Sequence, residues 1–188
     1  MKKINQFIKN QSQEENTMTF LELAKERYSE RYFDSKPVED EKLKLILEAG
    51  RLAPTGCNYQ PQRIYVIKSE EAKEKAISTK ASLSGCPLVL LVCYDSDEVW
   101  HNPREEGYNC GEQDASSVAL HMMFEATELG VHSLWIRGFN SDEVRKAFNL
   151  PENHVPAMMV ALGYPSADSH PAKLHSDKKP LEDTVIYI

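Results

Sequence analysis

Long apolar runs, paired cysteines and clustered metal ligands are all missing from this sequence. No stretch approaches the roughly 20 apolar residues that a membrane-spanning helix needs, and the polar opening MKKINQFIKNQSQEEN contains no signal segment. The four cysteines form no C-x-x-C pair and the six histidines form no H-E-x-x-H motif, which argues against a disulfide scaffold and a zinc site. We therefore expect a cytoplasmic protein whose cysteines are small apolar residues in a reducing compartment.

An excess of basic charge and the glycine motifs of nucleotide-binding folds are missing as well. The chain has 22 Lys and Arg against 29 Asp and Glu, which gives a net charge of −7. Neither nucleic acid nor a membrane is therefore expected as a partner, and any anion site must be a local basic pocket. Neither G-x-G-x-x-G nor G-x-x-x-x-G-K-[ST] occurs, which excludes the Rossmann and P-loop interpretations.

The 188 residues, 41% of them hydrophobic, predict one globular domain. Thr19 and Glu22 fit a capping box, so the domain is predicted at 18–188, after an extension (1–17) that is either a loose arm or a short helix on a partner subunit. The elements alternate without regular βαβ spacing, which indicates the α+β class. Apolar periodicity predicts helices at 20–28, 39–52, 70–79, 112–129 and 141–149, and strands at 63–68, 87–94, 132–136 and 157–162.

Two segments have no regular periodicity. Residues 95–111 form a long loop, which is either a lid over a binding site or simply mobile. Its Trp100 and Tyr108 would shape an acceptor site or only anchor the loop. The tail, residues 163–188, is irregular but ends in the β-prone segment 184–188, which predicts an arm that pairs elsewhere, for example on another subunit.

A possible phosphate site lies at the end of the first helix. Arg27 and Arg31 are four residues apart, so if the helix persists they share a face and form an anion-binding fork. Ser29 joins them only if the backbone turns there. The alternative is a solvated face on which the arginines pair with Glu26 or Glu30. Residues 175–180 (HSDKKP) add a second basic cluster, which in isolation is a solvated charge run.

The segment APTGCNYQP, residues 53–61, ends the second helix and places two amide side chains, Asn58 and Gln60, two residues apart. Amides supply both donors and acceptors, which is the mixture that the edge of a flavin ring requires, and Gly56 would let the backbone approach a flat ligand. The alternative is a turn whose amides bond their own backbone.

Taken together, these segments resemble the nitroreductase superfamily over residues 18–188. The order and spacing of the pieces carry the resemblance more than any single piece does. It implies an α+β fold with a central mixed or antiparallel sheet flanked by helices, in a homodimer that exchanges its C-terminal arms. The matching pieces are RYSERYF (27–33), LAPTGCNYQP (52–61), Asp114 in the long helix, ELGVHSLWI (128–136), LGYP (162–165) and KKPLE (178–182).

The resemblance also implies two FMN molecules at the dimer interface. Their phosphates would be held by residues of 27–31, called the arginine segment below, and by Lys178. The polar edge of each ring would meet Asn58 and Gln60. The segment 54–56 would line the flavin from the other subunit, and backbone of 134–138 would lie near the ring. The residues expected to bind the cofactor are Arg27, Tyr28, Ser29, Arg31, Pro54, Thr55, Gly56, Asn58, Gln60, Leu134, Trp135, Ile136, Gly138 and Lys178.

The activity implied by the resemblance is hydride transfer from NADH or NADPH, through flavin N5, to a small acceptor such as a nitroaromatic, a quinone or an enone, in a ping-pong scheme. The flavin carries this chemistry, so no catalytic side chain is expected. The alternatives are a related flavin reaction (reductive dehalogenation or dehydrogenation), a flavin-binding protein without turnover, and a structural dimer without flavin.

Overall fold

The computed structural model describes residues 18–79 and 85–188, so the predictions for the extension 1–17 lie outside the described residues. Except at the end of the first helix, each predicted element is present within a few residues of its expected span. No helix in the described ranges is long and apolar enough to cross a membrane. The helices are α1 (Phe20–Glu26), α2 (Asp40–Arg51), α3 (Glu70–Ser78), α4 (Gly111–Glu128) and α5 (Ser141–Phe148), and the strands are β1 (Gln62–Ile67), β2 (Leu88–Asp95), β3 (His132–Ile136) and β4 (His154–Gly163).

The four strands form one sheet in the order β1-β2-β4-β3, and every neighbouring pair is antiparallel. The prediction of an α+β fold around a mixed or antiparallel sheet is confirmed, with the antiparallel form. β2 is an inner strand, and its alternating side chains are buried on both faces of the sheet. One face carries Leu88, Leu90 and Val92, and the other carries Val89, Leu91 and Cys93.

Helices cover both faces of the sheet. α2 and α4 pack on one face, while α3 and α5 pack on the other. α2 comes very close to α4 at Gly50, where an added Cβ would lie 2.7 Å from Met122 Cγ. Full burial of a side chain such as Ile46 or Met122 contributes about 1.5–3 kcal/mol, so this helical layer stabilises the sheet.

The predicted end of α1 is wrong. The capping box is present, with the Glu22 amide donating to Thr19 Oγ1 at 3.3 Å, but α1 ends at Glu26 instead of running toward Tyr28. The chain then becomes extended because its backbone pairs with β3, where the Glu30 amide donates to the Ser133 carbonyl at 3.0 Å. No residue of α1 is buried, so tertiary pairing overrides the local helical periodicity.

The tail crosses the surface as turns. It contains 3₁₀ turns at Lys173–His175 and Leu181–Asp183, and the described tail residues after Gly163 form no strand. Three apolar side chains at its end, Ile186, Tyr187 and Ile188, are almost fully exposed. The segment 184–188 pairs with no strand among the described residues, so its pairing on another subunit stays a prediction.

Candidate functional site

The extended segment 27–31 brings the two arginines and the serine to one surface. Side chains at alternate positions of an extended chain point to the same side, so Arg27, Ser29 and Arg31 face one way. Together with the tail they line a depression of about 180 Å³, called the anion depression below. The three predicted residues therefore come together, but along an extended chain. The helical face that was expected to bring the arginines together is wrong. The remaining lining residues are Ala172, Leu174, His175 and Lys178.

The anion depression is a cluster of cations. None of its lining residues carries a carboxylate. Within the described residues, neither Arg27 nor Arg31 forms an ion pair, so the alternative in which they pair with Glu26 or Glu30 is wrong. Burial lowers the pKa of Arg27 from its ordinary value, yet a guanidinium stays charged in a protein. A half-buried cation without a counter-charge favours an anionic ligand.

Glu30, expected from the sequence only as a surface partner of the arginines, is completely buried behind the anion depression. Its Oε1 accepts the amides of Arg31 (2.9 Å) and Tyr32 (2.7 Å), and its Oε2 accepts the hydroxyls of Tyr28 (2.9 Å) and Ser169 (2.5 Å). Burial raises the pKa of the Glu30 carboxyl, but these hydrogen bonds outweigh burial and lower it overall. Tyr28, expected to bind the cofactor, thus points its hydroxyl away from the depression.

The segment 53–61, called the amide loop below, has an unusual backbone. Cys57, Asn58 and Gln60 all have positive φ, at 47°, 59° and 52°. Such conformations cost on the order of 1–3 kcal/mol for residues other than glycine and cluster at functional sites. The Gln60 side chain donates to the Asn58 carbonyl at 3.3 Å, whereas the exposed Asn58 side chain has no hydrogen bond to the described residues. Only Gln60 therefore behaves as the self-bonded turn predicts.

Gly56 in the amide loop is required by packing inside the chain. A Cβ at this position would lie 3.0 Å from Trp100 Cβ and 3.4 Å from Cys110 Cβ, so packing inside the chain already disfavours a side chain here. That the backbone of Gly56 also approaches a flat ligand stays a prediction. The Gly56 amide donates to Asp114 Oδ1 at 2.8 Å, and the second oxygen of this buried carboxylate has no partner among the described residues. Burial raises the pKa of Asp114, while the Gly56 amide partly opposes that shift.

Residues 100–110 of the predicted loop form a short hairpin. The Cys110 amide donates to the Trp100 carbonyl at 3.1 Å, and the Asn102 amide donates to the Tyr108 carbonyl at 3.0 Å. Between these two bonds, His101 and Asn109 form an antiparallel β-bridge. The hairpin packs against the amide loop through Trp100. Its function as a lid stays a prediction.

The segment 134–138 runs along the free edge of β3. Leu134 and Ile136 are buried on the α3 and α5 side, Trp135 packs on the opposite face, and residues 137 and 138 are exposed. Gly138 is open, with nothing within 4 Å of an added Cβ. Because Ser29 bridges Ser133 on the same edge, the segment leads away from the anion depression.

The anion depression and the amide loop lie at diagonally opposite corners of the sheet. The depression lies at Ser133 of β3, which in the register of the sheet is opposite Leu162 of β4, and Leu162 is opposite Leu88 at the start of β2. The amide loop ends at Pro61, whose carbonyl accepts the amide of Asp95 at the other end of β2. Three strand spacings give about 14 Å across the sheet, and the length of β2 gives about 23 Å along it. One small ligand therefore does not reach both corners of the same chain.

The chain is similar to known proteins over most of its length. A solved nitroreductase family protein from Clostridium difficile is 42% identical with a TM-score of 0.84, covering 90% of this chain and 98% of that one. A Thermus thermophilus protein named NADH dehydrogenase is 29% identical over 197 residues, covering 87% and 93%. A Staphylococcus epidermidis structure, described provisionally as an NAD(P)H:FMN oxidoreductase, is 20% identical with a TM-score of 0.78, covering 92% and 97%, and shows the fold alone. The model of the Nitroreductase family matches residues 24–84 and 76–164, and the chain belongs to this family of oxidoreductases.

Proposed function

We propose that the chain is an FMN-dependent oxidoreductase that works as a homodimer and passes hydride from NADH or NADPH to a small acceptor. The observation that carries the proposal is the anion depression, in which two arginines, a serine and a tail lysine converge without a carboxylate. The name of the Thermus thermophilus relative, NADH dehydrogenase, agrees with such chemistry.

The donors of the anion depression fit the phosphate of FMN. A phosphate monoester carries close to two negative charges near neutral pH and three acceptor oxygens. Arg27 and Arg31 supply guanidinium donors, Ser29 supplies a hydroxyl and Lys178 supplies a point charge. Free FMN would thus be selected over riboflavin, which lacks the phosphate.

A second copy of the chain completes the proposed site. The amide loop is too far from the anion depression of its own chain to touch the same flavin, so Asn58 and Gln60 would come from the partner, as would the segment 54–56. The backbone of 134–138 leads from the phosphate toward the ring. The exposed apolar end of the tail gives the partner a surface to bury.

When bound, FMN supplies the redox chemistry, because its ring accepts hydride from a reduced nicotinamide and passes it to an acceptor. The protein positions and shields this ring. Asn58 and Gln60 would satisfy its polar edge, and the hairpin with Trp100 and Tyr108 would border the place shared in turn by nicotinamide and acceptor. No side chain of the chain needs to act as a general base in this scheme.

Anaerobic flavin reduction tests the proposal. The purified protein, supplied with FMN, should be yellow, should lose its flavin absorbance when NADH or NADPH is added, and should regain it with a quinone or nitroaromatic. Colourless protein that takes up no FMN would overturn the cofactor assignment. Yellow protein that neither nicotinamide reduces would instead indicate a flavin-binding protein without turnover.

A further inference from the structure

Glu30 lies where the arginine segment and the tail meet. Its carboxylate has no solvent exposure, and its two oxygens together accept four hydrogen bonds. In addition, His132 Nδ1 lies 3.3 Å from Glu30 Oε2. A buried carboxylate is retained only when its lone pairs are satisfied, as they are here.

One half of this network shapes the arginine segment. Oε1 accepts the consecutive amides of Arg31 and Tyr32, which fixes the backbone that follows Glu30. The Glu30 amide in turn donates to the Ser133 carbonyl of β3. Because Glu30 is held on the inner side, the alternating residues Arg27, Ser29 and Arg31 are held on the outer side.

The other half of the network holds the tail. Ser169 is 139 residues away in sequence, yet its hydroxyl donates to Glu30 Oε2 and lies 2.8 Å from the Tyr28 hydroxyl. Nine residues further on, Lys178 donates to the His175 carbonyl at 2.6 Å, and both residues line the anion depression. The same carboxylate therefore fixes both walls of the depression, one directly and one through Ser169.

We propose that Glu30 is a positioning residue for the phosphate site, because its buried carboxylate holds both the arginine segment and the lysine-bearing tail in position around the anion. The inference rests on the proposed function, since the anion is the FMN phosphate. Glu30 itself is not a ligand: it lies behind the depression and carries the same sign of charge as phosphate. Glu30 therefore raises the affinity for phosphate by fixing the shape of the depression, while its own negative charge opposes phosphate binding.

This distinction between shape and charge defines the test. In Glu30→Gln the amide oxygen can still accept the amides of Arg31 and Tyr32, while its NH₂ group can donate to the two hydroxyls, which then act as acceptors. Glu30→Ala removes all of these bonds. A positioning role predicts that glutamine preserves phosphate binding and alanine does not.

Dissociation constants for FMN and for riboflavin, measured on full-length protein freed of bound flavin by dialysis, give the readout. Glu30→Ala should weaken FMN about tenfold or more, because several bonds to a charged group are lost, and should change riboflavin by less than about threefold. Glu30→Gln should stay within about threefold of wild type for both ligands. Equal losses for FMN and riboflavin in Glu30→Ala, or no loss for either, would overturn the assignment.

Ser169→Ala decides the matter if Glu30→Ala does not fold. It removes one donor to Glu30 and should weaken FMN several-fold with riboflavin unchanged, whereas Ser176→Ala, a tail serine with no contact to Glu30, should change neither. An unchanged FMN affinity in Ser169→Ala would then reject the inference. Arg27→Ala separates the two levels: if it leaves FMN affinity intact, the phosphate site is wrong; if it weakens FMN while the Glu30 and Ser169 variants do not, only the Glu30 inference is wrong.

Discussion

The anion depression and the amide loop differ in how much of their structure one chain supplies. In the depression, Arg27, Ser29 and Arg31 are held from behind by a buried carboxylate that also fixes the tail. In the amide loop, Asn58 is exposed and lacks a side-chain partner within the described residues, and the backbone is held in a costly conformation. We infer that phosphate recognition is preorganised in the monomer, whereas ring recognition depends on the partner.

Removal of the tail should have the largest effect. Deleting residues 168–188 takes away Ser169, His175 and Lys178, removes one of the four donors to Glu30 and removes the apolar end of the arm. We expect loss of both the dimer and bound FMN, measured by size-exclusion chromatography with light scattering and by flavin absorbance.

A shorter deletion sharpens this result. Removing only residues 184–188 leaves every lining residue of the anion depression in place. This variant should dissociate more readily and bind FMN more weakly, yet keep the wild-type affinity for inorganic phosphate measured by calorimetry. A protein that lacks residues 168–188 and remains a flavin-loaded dimer would show that the tail has neither role.

Loss of either arginine should have the next largest effect. A charge-assisted hydrogen bond contributes about 1.5–3 kcal/mol, so Arg27→Ala and Arg31→Ala should each weaken FMN roughly tenfold or more. Riboflavin should be nearly unaffected because it has no phosphate. Arg51→Ala is the matched control, since Arg51 is exposed and pairs with Glu48. Titrations with both flavins would contradict the phosphate assignment if the two ligands lost equal affinity.

The fold was largely predictable because burial leaves a periodic pattern. β2 and α4 carry apolar residues at the spacing of a buried strand and a long packed helix, and both lie where expected. The end of α1 was not predictable from local pattern, because β3 takes the backbone of Ser29 and Glu30 through a pairing that is distant in sequence. Such a contact leaves no periodic signal.

For the candidate site, the residues that come together could be predicted better than the structural reason why they do so. Arg27, Ser29 and Arg31 do meet, but by alternation along an extended chain and not on a helical face. Glu30 looked like a surface charge because its donors come from the backbone and from Ser169, far along the chain. The neighbours of Gly56 are equally remote, so its packing role was also missed.

Asn58→Gly should have a smaller effect that distinguishes the amide loop from the anion depression. Glycine adopts the positive φ of 59° without strain, so the variant removes the side chain and leaves the backbone in place. Loss of one hydrogen bond should cost about 1 kcal/mol, roughly fivefold, and should apply equally to FMN and riboflavin because both share the ring.

Cys57→Gly provides the control for this experiment. Cys57 lies in the same loop with a positive φ of 47°, and its exposed side chain is not expected to contact the ring. Flavin affinity should therefore stay at the wild-type value. If Asn58→Gly weakened FMN but not riboflavin, the amide loop would lie near the phosphate, and the division between the two regions would be wrong.

Asp114→Asn should have the smallest effect on binding but a characteristic dependence of stability on pH. The Asn oxygen can still accept the Gly56 amide, so the amide loop should keep its position. Burial raises the pKa of Asp114 above its ordinary value, so at a pH well below about 3.9 the carboxyl is protonated in both the folded and the unfolded chain, and burying it has no ionic cost. As the pH rises through the raised pKa, the folded protein must carry a buried charge, and the contribution of Asp114 to stability falls.

The free energy of unfolding of wild type should therefore decrease relative to Asp114→Asn between pH 4 and pH 7. Urea unfolding of both proteins at intervals over this range measures the difference. Asp114→Leu keeps the burial but removes the acceptor for Gly56, so it should be less stable than Asp114→Asn by about 1–3 kcal/mol at every pH. A difference between wild type and Asp114→Asn that stays constant with pH would mean that Asp114 titrates with its ordinary pKa. Burial of Asp114 would then not penalise its charged form.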